Sequence, residues 1–559
     1  MDRGQDRAVG GVLGSVVAIA AAALWQRRRR NAATIGHMYY MPDELLITLI
    51  DTTAKPLPDD ERVQTLLRHA ARVAGKREFA VVEKGRPTRG EDAEGPHVAG
   101  SPLTLRVRAP KPRVAFGRRH HVKRAVDAIN GNLDALRHRG IVVSSAIPNW
   151  LIVSGAGHGV TGPATLPDPA PDGDWAITVP SAGVWPPPPS SSPLSKLKKD
   201  ATLNQPVVVA VLDSSPGYKG LRDAAAKPLY KGNALLRRLA SGNTIVDWNR
   251  FTPPDDVPTV RHPRSEADHG LFVAGVIDSV APHAEIYLLH VLDDQGLGRT
   301  DLLLDALDYC LSIARRGRRV VVNLSMYLAI PPDDELWAHW FGPLATVINR
   351  RPVQRANLFE ALDEAVEQRI DLLLDAGAVV VAAAGNDALR RGGGAVHPQP
   401  RLPADYDGVL CVVATDRDGK LAAYSNRADI PPTGNSVATY GGQGMLDGVA
   451  AVVPPGDDPR DGVVGLYTRS DVSTPDGSKP NGAGWVYWSG TSFATPIISG
   501  LAANILARNE LERKANPSVH RLSPREVVTR ILDMAAPPDQ TDPALGCPYI
   551  PVSQQRRRP

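Results

Sequence analysis

The chain has 559 residues, room for about three or four domains of ordinary size, which excludes a small scaffold held together by disulfides. Lys and Arg number 64 against 60 for Asp and Glu, so the net charge of +4 gives no reason to expect a nucleic acid partner. The three cysteines, Cys310, Cys411 and Cys547, fit neither a disulfide framework nor a zinc ribbon, and we predict no metal site.

The N-terminal segment carries the one membrane signal that we find in the sequence. Ala8 to Trp25 is an uncharged run of 18 residues. As a helix with about 1.5 Å of rise per residue it is about 27 Å long, close to the thickness of the hydrocarbon layer. A buried or interfacial helix is the alternative, because Ala and Gly make the run weakly apolar. Arg27 to Arg30 follow directly and favour a cytoplasmic side for the rest of the chain, so we expect membrane association through residues 8 to 25, with secretion as the alternative.

Residues 41 to 155 alternate strand and helix patterns in the order βαββαβ, which is typical of a ferredoxin-like α+β domain. The strand-like runs cover 44–50, 78–82, 103–107 and 141–153, and helical periodicity covers 59–73 and 122–136. From 156 to 195 the chain is rich in Pro, Ser and Gly, so we predict a linker that builds no core. Residues 541 to 559 are predicted to form a basic tail that frays.

Between residues 196 and 540, continuous apolar runs alternate with helical stretches. The runs are 206–212, 285–292, 320–325, 378–384 and 409–415, and the helical stretches include 300–314 and 358–376. Runs of this kind are typical of strands buried on both faces, so we predict a doubly wound, mostly parallel sheet with helices on both faces. In open α/β sheets the reactive groups gather at the carboxyl ends of the strands. The residues directly after each run are therefore the candidates for chemistry.

Those residues supply an acid, a base and a nucleophile. Asp213 ends the run VVVAVLD, His269 opens the helical segment HGLFVAG, and Ser492 lies in GTSFATP. A serine hydroxyl needs a neighbouring base to take its proton, and a carboxylate orients that base and stabilises its charged form. Asn386 ends the run VVVAAAGN, and its amide can donate to a developing oxyanion. The four residues together predict acyl transfer at a serine.

With these motifs in the chain order Asp, His, Ser, residues 204 to 536 resemble the subtilisin-like serine peptidases. The resemblance implies a serine endopeptidase that cleaves protein or peptide substrates through an acyl-enzyme. It assigns orientation to Asp213, base and acid catalysis to His269, nucleophilic attack to Ser492, and oxyanion binding to Asn386. A substrate is expected to add as a β-strand. The substrate-binding residues that the resemblance implies are Leu297, Gly298, Leu324, Ser325, Met326, Ala384 and Gly385.

We predict no cofactor. The resemblance to the family leaves calcium open, but no acidic loop of the sequence has the spacing of an oxygen-ligand set from which a calcium site could be read. The N-terminal domain is similar in strand order and position to the pro-domains of the family. It is therefore expected to act as an intramolecular inhibitor whose last strand blocks the cleft.

Two departures from the family pattern favour a second hypothesis. Tyr327 falls where the family usually has Gly, so a large side chain narrows the cleft beside the substrate strand. The stretch from 331 to 354 is longer than the usual connection and is expected to form a lid or an extra wall. The alternative is a binding or scaffold protein without catalysis, on a subtilisin-like fold with a restricted cleft.

Overall fold

The computed structural model describes most of the chain in separate ranges. These are residues 33–35, 38–51, 61–76, 78–82, 102–109, 121–154, 168–169, 174–178, 205–230, 233–241, 245–247, 266–294, 296–328, 352–391, 394–428, 435–443, 461–474, 477–482, 484–535 and 542–557. The predicted anchor at 8–25 and nearly all of the stretch from 331 to 354 lie outside these ranges. Within the ranges, no helix is long and apolar enough to cross a membrane, and no group of three or more His, Cys, Asp or Glu side chains is placed to hold a metal ion.

The first folded unit is an antiparallel sheet with two helices packed on it. Its elements are β1 (Ala33–Ile35), β2 (Met38–Asp51), α1 (Glu61–Val73), β3 (Ala80–Val81), β4 (Pro102–Arg108), α2 (His121–Asn130), β5 (Arg137–His138) and β6 (Ile141–Ser154). β2 pairs with β4 and β6, and β3 pairs with β4, all antiparallel. The element order follows the prediction. α2 ends earlier than predicted because Gly131 and Asn132, which favour turns, follow it.

Each helix of this unit is held by a specific feature of its sequence. α1 buries residues spaced three and four apart, which puts one apolar face on the sheet; they are Val63, Leu66, Leu67, Ala70 and Ala71. At the end of α2, the Asn130 side chain donates to the Ala146 carbonyl at 2.9 Å and accepts from the Ala146 N–H at 2.8 Å. This pair of bonds attaches α2 to the middle of β6.

The second unit is built on a parallel sheet. Its elements are β9 (Val208–Ser214), α3 (Gly217–Ala225), α4 (Ala234–Ser241), β10 (Ile245–Asp247), α5 (His269–Val280), β11 (Glu285–Leu292), β12 (Leu297–Arg299), α6 (Thr300–Arg315), β13 (Val320–Leu324), β14 (Met326–Tyr327), α7 (Pro352–Asp375), β15 (Val379–Ala383), β16 (Leu389–Arg391), β17 (Gly394–Val396), β18 (Leu410–Thr415), β19 (Ser436–Tyr440), β20 (Val463–Leu466), β21 (Asp471–Thr474), β22 (Gly477–Pro480), β23 (Trp485–Trp488), α8 (Thr491–Ala515), α9 (Pro524–Asp533) and β24 (Tyr549–Ile550). The parallel strands lie in the order β24, β19, β18, β15, β13, β9, β11.

Alternate residues of the central strand face two separate apolar cores. Ala210 and Leu212 of β9 belong to the core that contains α6 and α7. Val209 and Val211 belong to the other core, which contains α5, α8 and α9. A strand with helices on both sides has no polar face, which is why its sequence is a continuous apolar run. The predicted mostly parallel sheet with helices on both faces is confirmed.

The predicted linker and tail both contribute strands to the described fold. β7 (Asp168–Pro169) pairs with β23, and β8 (Asp174–Thr178) pairs with β25 (Ser553–Arg557), both antiparallel. β24 extends the main sheet past residue 540, where we predicted the tail to begin. These short strands use backbone pairing at sheet edges, and they need no apolar run of their own.

One strand joins the two folded units. β6 pairs with β2 from Ile141 to Pro148 and again at Trp150, and its last residues pair antiparallel with β12 and with β14. The register sets Val153 opposite both Leu297 and Tyr327, so β6 lies between the two strands. The N-terminal domain therefore enters the second unit at the point where the polar residues of the site gather.

Candidate active site

Asp213 and His269 form a buried pair at the carboxyl end of β9. The Nδ1 atom of His269 lies 2.8 and 2.9 Å from the two carboxylate oxygens of Asp213, and neither side chain is more than 1% exposed. His269 is the first residue of α5, and Gly270 lets this helix approach β9 closely. A Cβ at Gly270 would collide with the Ser214 carbonyl oxygen and lie 2.7 Å from the Cβ of Asp213.

The charges around His269 decide its protonation. Burial by itself lowers its pKa, but the Asp213 carboxylate, which also accepts a hydrogen bond from the ring, and the nearby Glu266 carboxylate raise it, and the net effect is a pKa above the ordinary value of 6.5. With Nδ1 held by Asp213, the Nε2 atom is the one left to take and return a proton. The imidazole also packs on Trp488 and Phe493, whose ring centroids lie 5.5 and 5.1 Å away.

The residue before the histidine is a second buried acid. Asp268 accepts hydrogen bonds from the backbone N–H and the hydroxyl of Thr468, at 2.5 and 2.9 Å, and from the backbone N–H of Arg469 at 3.2 Å. Burial raises its pKa, although these hydrogen bonds oppose the shift. Asp268 thus attaches the start of α5 to the segment that follows β20.

Ser492 lies one residue inside α8, next to Phe493, which touches the His269 ring. Its hydroxyl donates to the backbone carbonyl of Ser325 at 3.3 Å, and within the described residues it makes no hydrogen bond to His269. In return the Ser325 hydroxyl donates to the Ser492 carbonyl at 2.9 Å. The structure therefore contains the Asp213–His269 contact of the predicted triad. The serine hydroxyl, by contrast, is bonded to Ser325.

A series of hydrogen bonds between buried side chains supports this arrangement, and sequence analysis missed it. The Asn323 amide donates to the Ser325 hydroxyl at 3.0 Å, and the Ser499 hydroxyl donates to the Asn323 Oδ1 at 2.9 Å. All three side chains are fully buried. These hydrogen bonds connect α8 to the end of β13 and so fix the position of Ser492 relative to the sheet. The signal in the sequence was Asn323 itself, a polar residue inside an apolar strand.

Asn386 is oriented by the residue that begins α8. Its Oδ1 accepts from the backbone N–H of Thr491 at 3.0 Å and from the Thr491 hydroxyl at 2.8 Å. A backbone N–H can only donate, so the oxygen must face Thr491 and the NH₂ group is the donor end. The first N–H groups of a helix have no acceptor within the helix. The amide of Asn386 and the start of α8 therefore bring donors together beside Ser492.

The predicted substrate-binding residues divide into two groups. Leu297, Gly298 and Met326 lie on the two strands that hold β6, and Ser325 precedes the second of them. Leu324 instead pairs with Ala382 inside the main sheet. Ala384 and Gly385 form the turn before Asn386. There the Ala384 N–H donates to Val412 and the Ala384 carbonyl accepts from Arg401, while the Gly385 carbonyl accepts from Asn426.

A buried ion pair lies against this turn, and sequence analysis missed it as well. Arg401 contacts Asp387 through two bonds of 2.7 and 2.9 Å, and neither side chain is exposed. The Asn426 amide donates to the same carboxylate at 3.0 Å. The Arg401 guanidinium stacks over the Tyr327 ring at 4.6 Å from its centroid. Tyr327 of β14 therefore contacts the arginine that lies against this turn.

Comparisons with known proteins agree with the motifs. The sequence model of the Subtilase family matches residues 204–546, more than half of the chain. The chain is 28% identical over 191 residues to the minor extracellular protease Epr of Bacillus subtilis (strain 168), which is 32% of this chain and 23% of that protein. It is 24% identical over 266 residues to Subtilisin E of the same organism, which is 45% of this chain and 49% of that protein.

A third relative and one solved structure complete the comparison. The thermophilic serine proteinase of Bacillus sp. (strain AK1) is 26% identical over 257 residues, 44% of each chain. The structure of fervidolysin from Fervidobacterium pennivorans covers 93% of this chain and 63% of that chain, with a TM-score of 0.45 and 14% identity. The chain spans less than half the length of each of the three curated relatives.

Proposed function

The chain belongs to the subtilase family, and from that premise we propose that it is a serine endopeptidase that acts through Asp213, His269 and Ser492. The observation that carries the proposal is the buried Asp213–His269 pair, at 2.8 Å, beside the helix that presents Ser492. A buried carboxylate bound to one imidazole nitrogen keeps the other nitrogen available as a base. The raised pKa of His269 suits a group that must first take a proton and then release it.

The reaction requires one local movement. The Ser492 hydroxyl turns from the Ser325 carbonyl to His269, gives up its proton there and adds to the carbonyl carbon of the substrate. The Asn386 amide and the Ser492 N–H donate to the oxyanion that forms. His269 then returns the proton to the departing amine, and water hydrolyses the acyl-enzyme by the same steps in reverse order.

The proposal includes autoinhibition by the N-terminal domain. β6 pairs with β12 and β14 from both sides, the arrangement expected of a substrate strand added to a sheet edge. Polar contacts support the docking. Arg106 of β4 bonds to Asp301 at 3.0 Å, and the buried Arg369 of α7 donates to Thr104 of β4. A strand already in place excludes other substrates from the same backbone groups.

The alternative is a scaffold without catalysis, and two observations favour it. The large side chain of Tyr327 is buried on β14, one of the two strands that hold β6, and the Ser492 hydroxyl bonds to Ser325 rather than to His269. A fluorophosphonate probe decides between the two, because it reacts only with an activated serine. We expect the purified full-length protein to be labelled. Labelling should be lost in Ser492→Ala and kept in Ser312→Ala, a buried serine on α6 outside the site.

Membrane association through residues 8 to 25 is also part of the proposal. The full-length protein should sediment with membranes, and deletion of residues 1 to 30 should make it soluble. Protection of the protease domain from protease added to intact cells is expected for the cytoplasmic orientation. Accessibility with retained sedimentation would instead support secretion.

A further inference from the structure

We propose that Asn426 is a positioning residue for the oxyanion donor, a role that rests on the proposed function. Asn426 holds the turn that carries Asn386, so that the Asn386 amide can donate to the oxygen of the reacting carbonyl. It lies on the segment that follows β18, far from Asn386 in the sequence, and its side chain is fully buried. It makes hydrogen bonds to the residues on both sides of Asn386.

These hydrogen bonds hold the turn before and after the oxyanion donor. The backbone N–H of Asn426 donates to the Gly385 carbonyl at 2.9 Å. Its Oδ1 accepts from the backbone N–H of Asp387 at 2.8 Å, and its Nδ2 donates to the Asp387 carboxylate at 3.0 Å. A backbone N–H can only donate, so the bond to Oδ1 fixes the orientation of the Asn426 amide. One residue therefore binds both neighbours of Asn386.

The backbone of the turn is in close contact with its surroundings. Gly385 has a φ of +110°, a conformation that favours glycine. A Cβ on Gly385 would lie 2.7 Å from the Nδ2 of Asn426 and 2.9 Å from the Cγ of Arg401. The Arg401 N–H also donates to the Ala384 carbonyl at 2.8 Å. Because the two side chains lie directly against the backbone, the position of the turn depends on both.

The turn is also bonded to the start of α8. The Gly385 N–H donates to the Thr491 hydroxyl at 3.3 Å, and that hydroxyl donates to the Oδ1 of Asn386 at 2.8 Å. Thr491 therefore fixes the direction in which the Asn386 amide faces. Asn426 fixes the position of the backbone that carries this amide. Loss of the Asn426 side chain would remove the second constraint and leave the first.

Removal of the Asn426 side chain is expected to displace the turn. The Asp387 N–H would lose its acceptor and the Asp387 carboxylate would lose a donor, and the space left behind lies next to Gly385. Buried N–H groups are nearly always paired, so the backbone should move toward another acceptor. A displacement of about 1 Å can slow catalysis about 10²-fold. The loss would act through the Asn386 amide.

The first experiment is a kinetic double-mutant cycle on the uncleaved full-length protein. The readout is the second-order rate constant of fluorophosphonate labelling at Ser492, because attack on the probe places negative charge on an oxygen that needs the same donors as a peptide oxyanion. Asn426→Ala should slow labelling about tenfold or more, and no more than Asn386→Ala does. In the Asn386→Ala background, Asn426→Ala should have almost no further effect, because the group that it positions is absent.

Asn509→Ala is the matched control for a purely structural effect. Asn509 is buried like Asn426, and its amide donates to the His520 carbonyl and accepts from the Leu522 N–H, both at 3.1 Å. It lies on α8, about 25 Å from Ser492 at about 1.5 Å of rise per residue. We expect this variant to unfold at a lower urea concentration and to be labelled at the native rate.

Asn426→Asp keeps the shape of the side chain and extends the test if the alanine variant does not fold. One carboxylate oxygen still accepts from the Asp387 N–H, but the other replaces the donor to the Asp387 carboxylate. Two adjacent carboxylates raise the pKa of one of them, and the proton taken up at low pH restores a donor, although the Arg401 guanidinium opposes part of this shift. Labelling should be slower than native at about pH 8, and the ratio of native to variant rates should fall about threefold or more at about pH 5.

The outcomes distinguish this inference from the proposed function. A native protein that is not labelled overturns the proposed function. If the native protein is labelled, a native rate in Asn426→Ala, or in Asn426→Asp at about pH 8, overturns the inference and leaves the proposed function intact. The same holds if the loss in Asn426→Ala persists undiminished in the Asn386→Ala background, since the effect would then be structural. A native rate in Asn386→Ala overturns the role of Asn386 and this inference with it.

Discussion

Removal of one member of the Arg401–Asp387 pair should cost far more stability than removal of both. In Arg401→Met the Asp387 carboxylate stays buried and keeps the hydrogen bond from the Asn426 amide, but it loses the guanidinium. Breaking a fully buried pair in this way typically costs about 3–5 kcal/mol. Domains of this kind have unfolding free energies of about 5–15 kcal/mol, so the loss is a large part of the total.

The double variant Arg401→Met with Asp387→Leu removes both charges. An apolar replacement of a buried pair is often neutral or stabilising, so most of the lost stability should return. Urea unfolding followed by circular dichroism, applied to Arg401→Met, to Asp387→Leu and to the double variant, gives the coupling free energy directly. The exposed pair Lys219 and Asp223, 2.6 Å apart on α3, is the matched control, and its loss should not measurably change the unfolding midpoint.

Two results would refute this reasoning. One is a single variant that unfolds within about 1 kcal/mol of the native protein, which would mean that water reaches the carboxylate. The other is additive effects of the two substitutions, which would mean that the ion pair does not act as a unit.

The remaining predictions concern turnover of a peptide substrate and its control. Ser492→Ala and His269→Ala should each abolish turnover, and the double variant should be little worse, because such residues act as a unit; multiplicative losses would contradict the triad. Asn386→Ala should lower kcat by about 10²–10³ with little change in KM, and an unchanged kcat would remove it from the site. Against the lowering effect of burial, Asp213 and, to a smaller extent, Glu266 raise the pKa of His269, so the acid limb of kcat/KM should lie above pH 6.5 and move to lower pH in Glu266→Gln; an unmoved limb would exclude the effect of the Glu266 charge. Arg106→Ala loses the bond to α6 and should speed fluorophosphonate labelling of the uncleaved full-length protein, whereas equal rates would show that this contact does not hold the inhibitor.

The sequence was sufficient to predict the sheet and the positions of the candidate catalytic residues, because both depend on local patterns. The apolar run that ends at Asp213 is a strand in the structure, and Ser492 opens a helix as its motif indicates. The prediction that Tyr327 narrows the cleft likewise uses one position only, where a large residue stands in place of the usual glycine of the family. These inferences depend on residues that are close together in the sequence, and they do not require knowledge of contacts between distant segments.

The remaining features depend on contacts between distant segments. Arg401 and Asp387 are separated by 14 positions, and nothing in either neighbourhood shows that they meet. β7 has two residues and one is proline, so it has no strand pattern of its own. The hydrogen bond of the Ser492 hydroxyl is a rotamer choice, which no sequence pattern encodes.

The position of β6 has a consequence for the solubility of the enzyme after activation. β12 and β14 each gain a partner from β6, so its departure would leave two open strand edges facing each other across an empty slot. Open edges with unpaired N–H and C=O groups readily recruit strands from other molecules. The freed protease would therefore be prone to self-association at high concentration, and a peptide that fills the slot should suppress the turbidity. If the proposed autoinhibition holds, the N-terminal domain would protect the protein from aggregation as well as from premature catalysis.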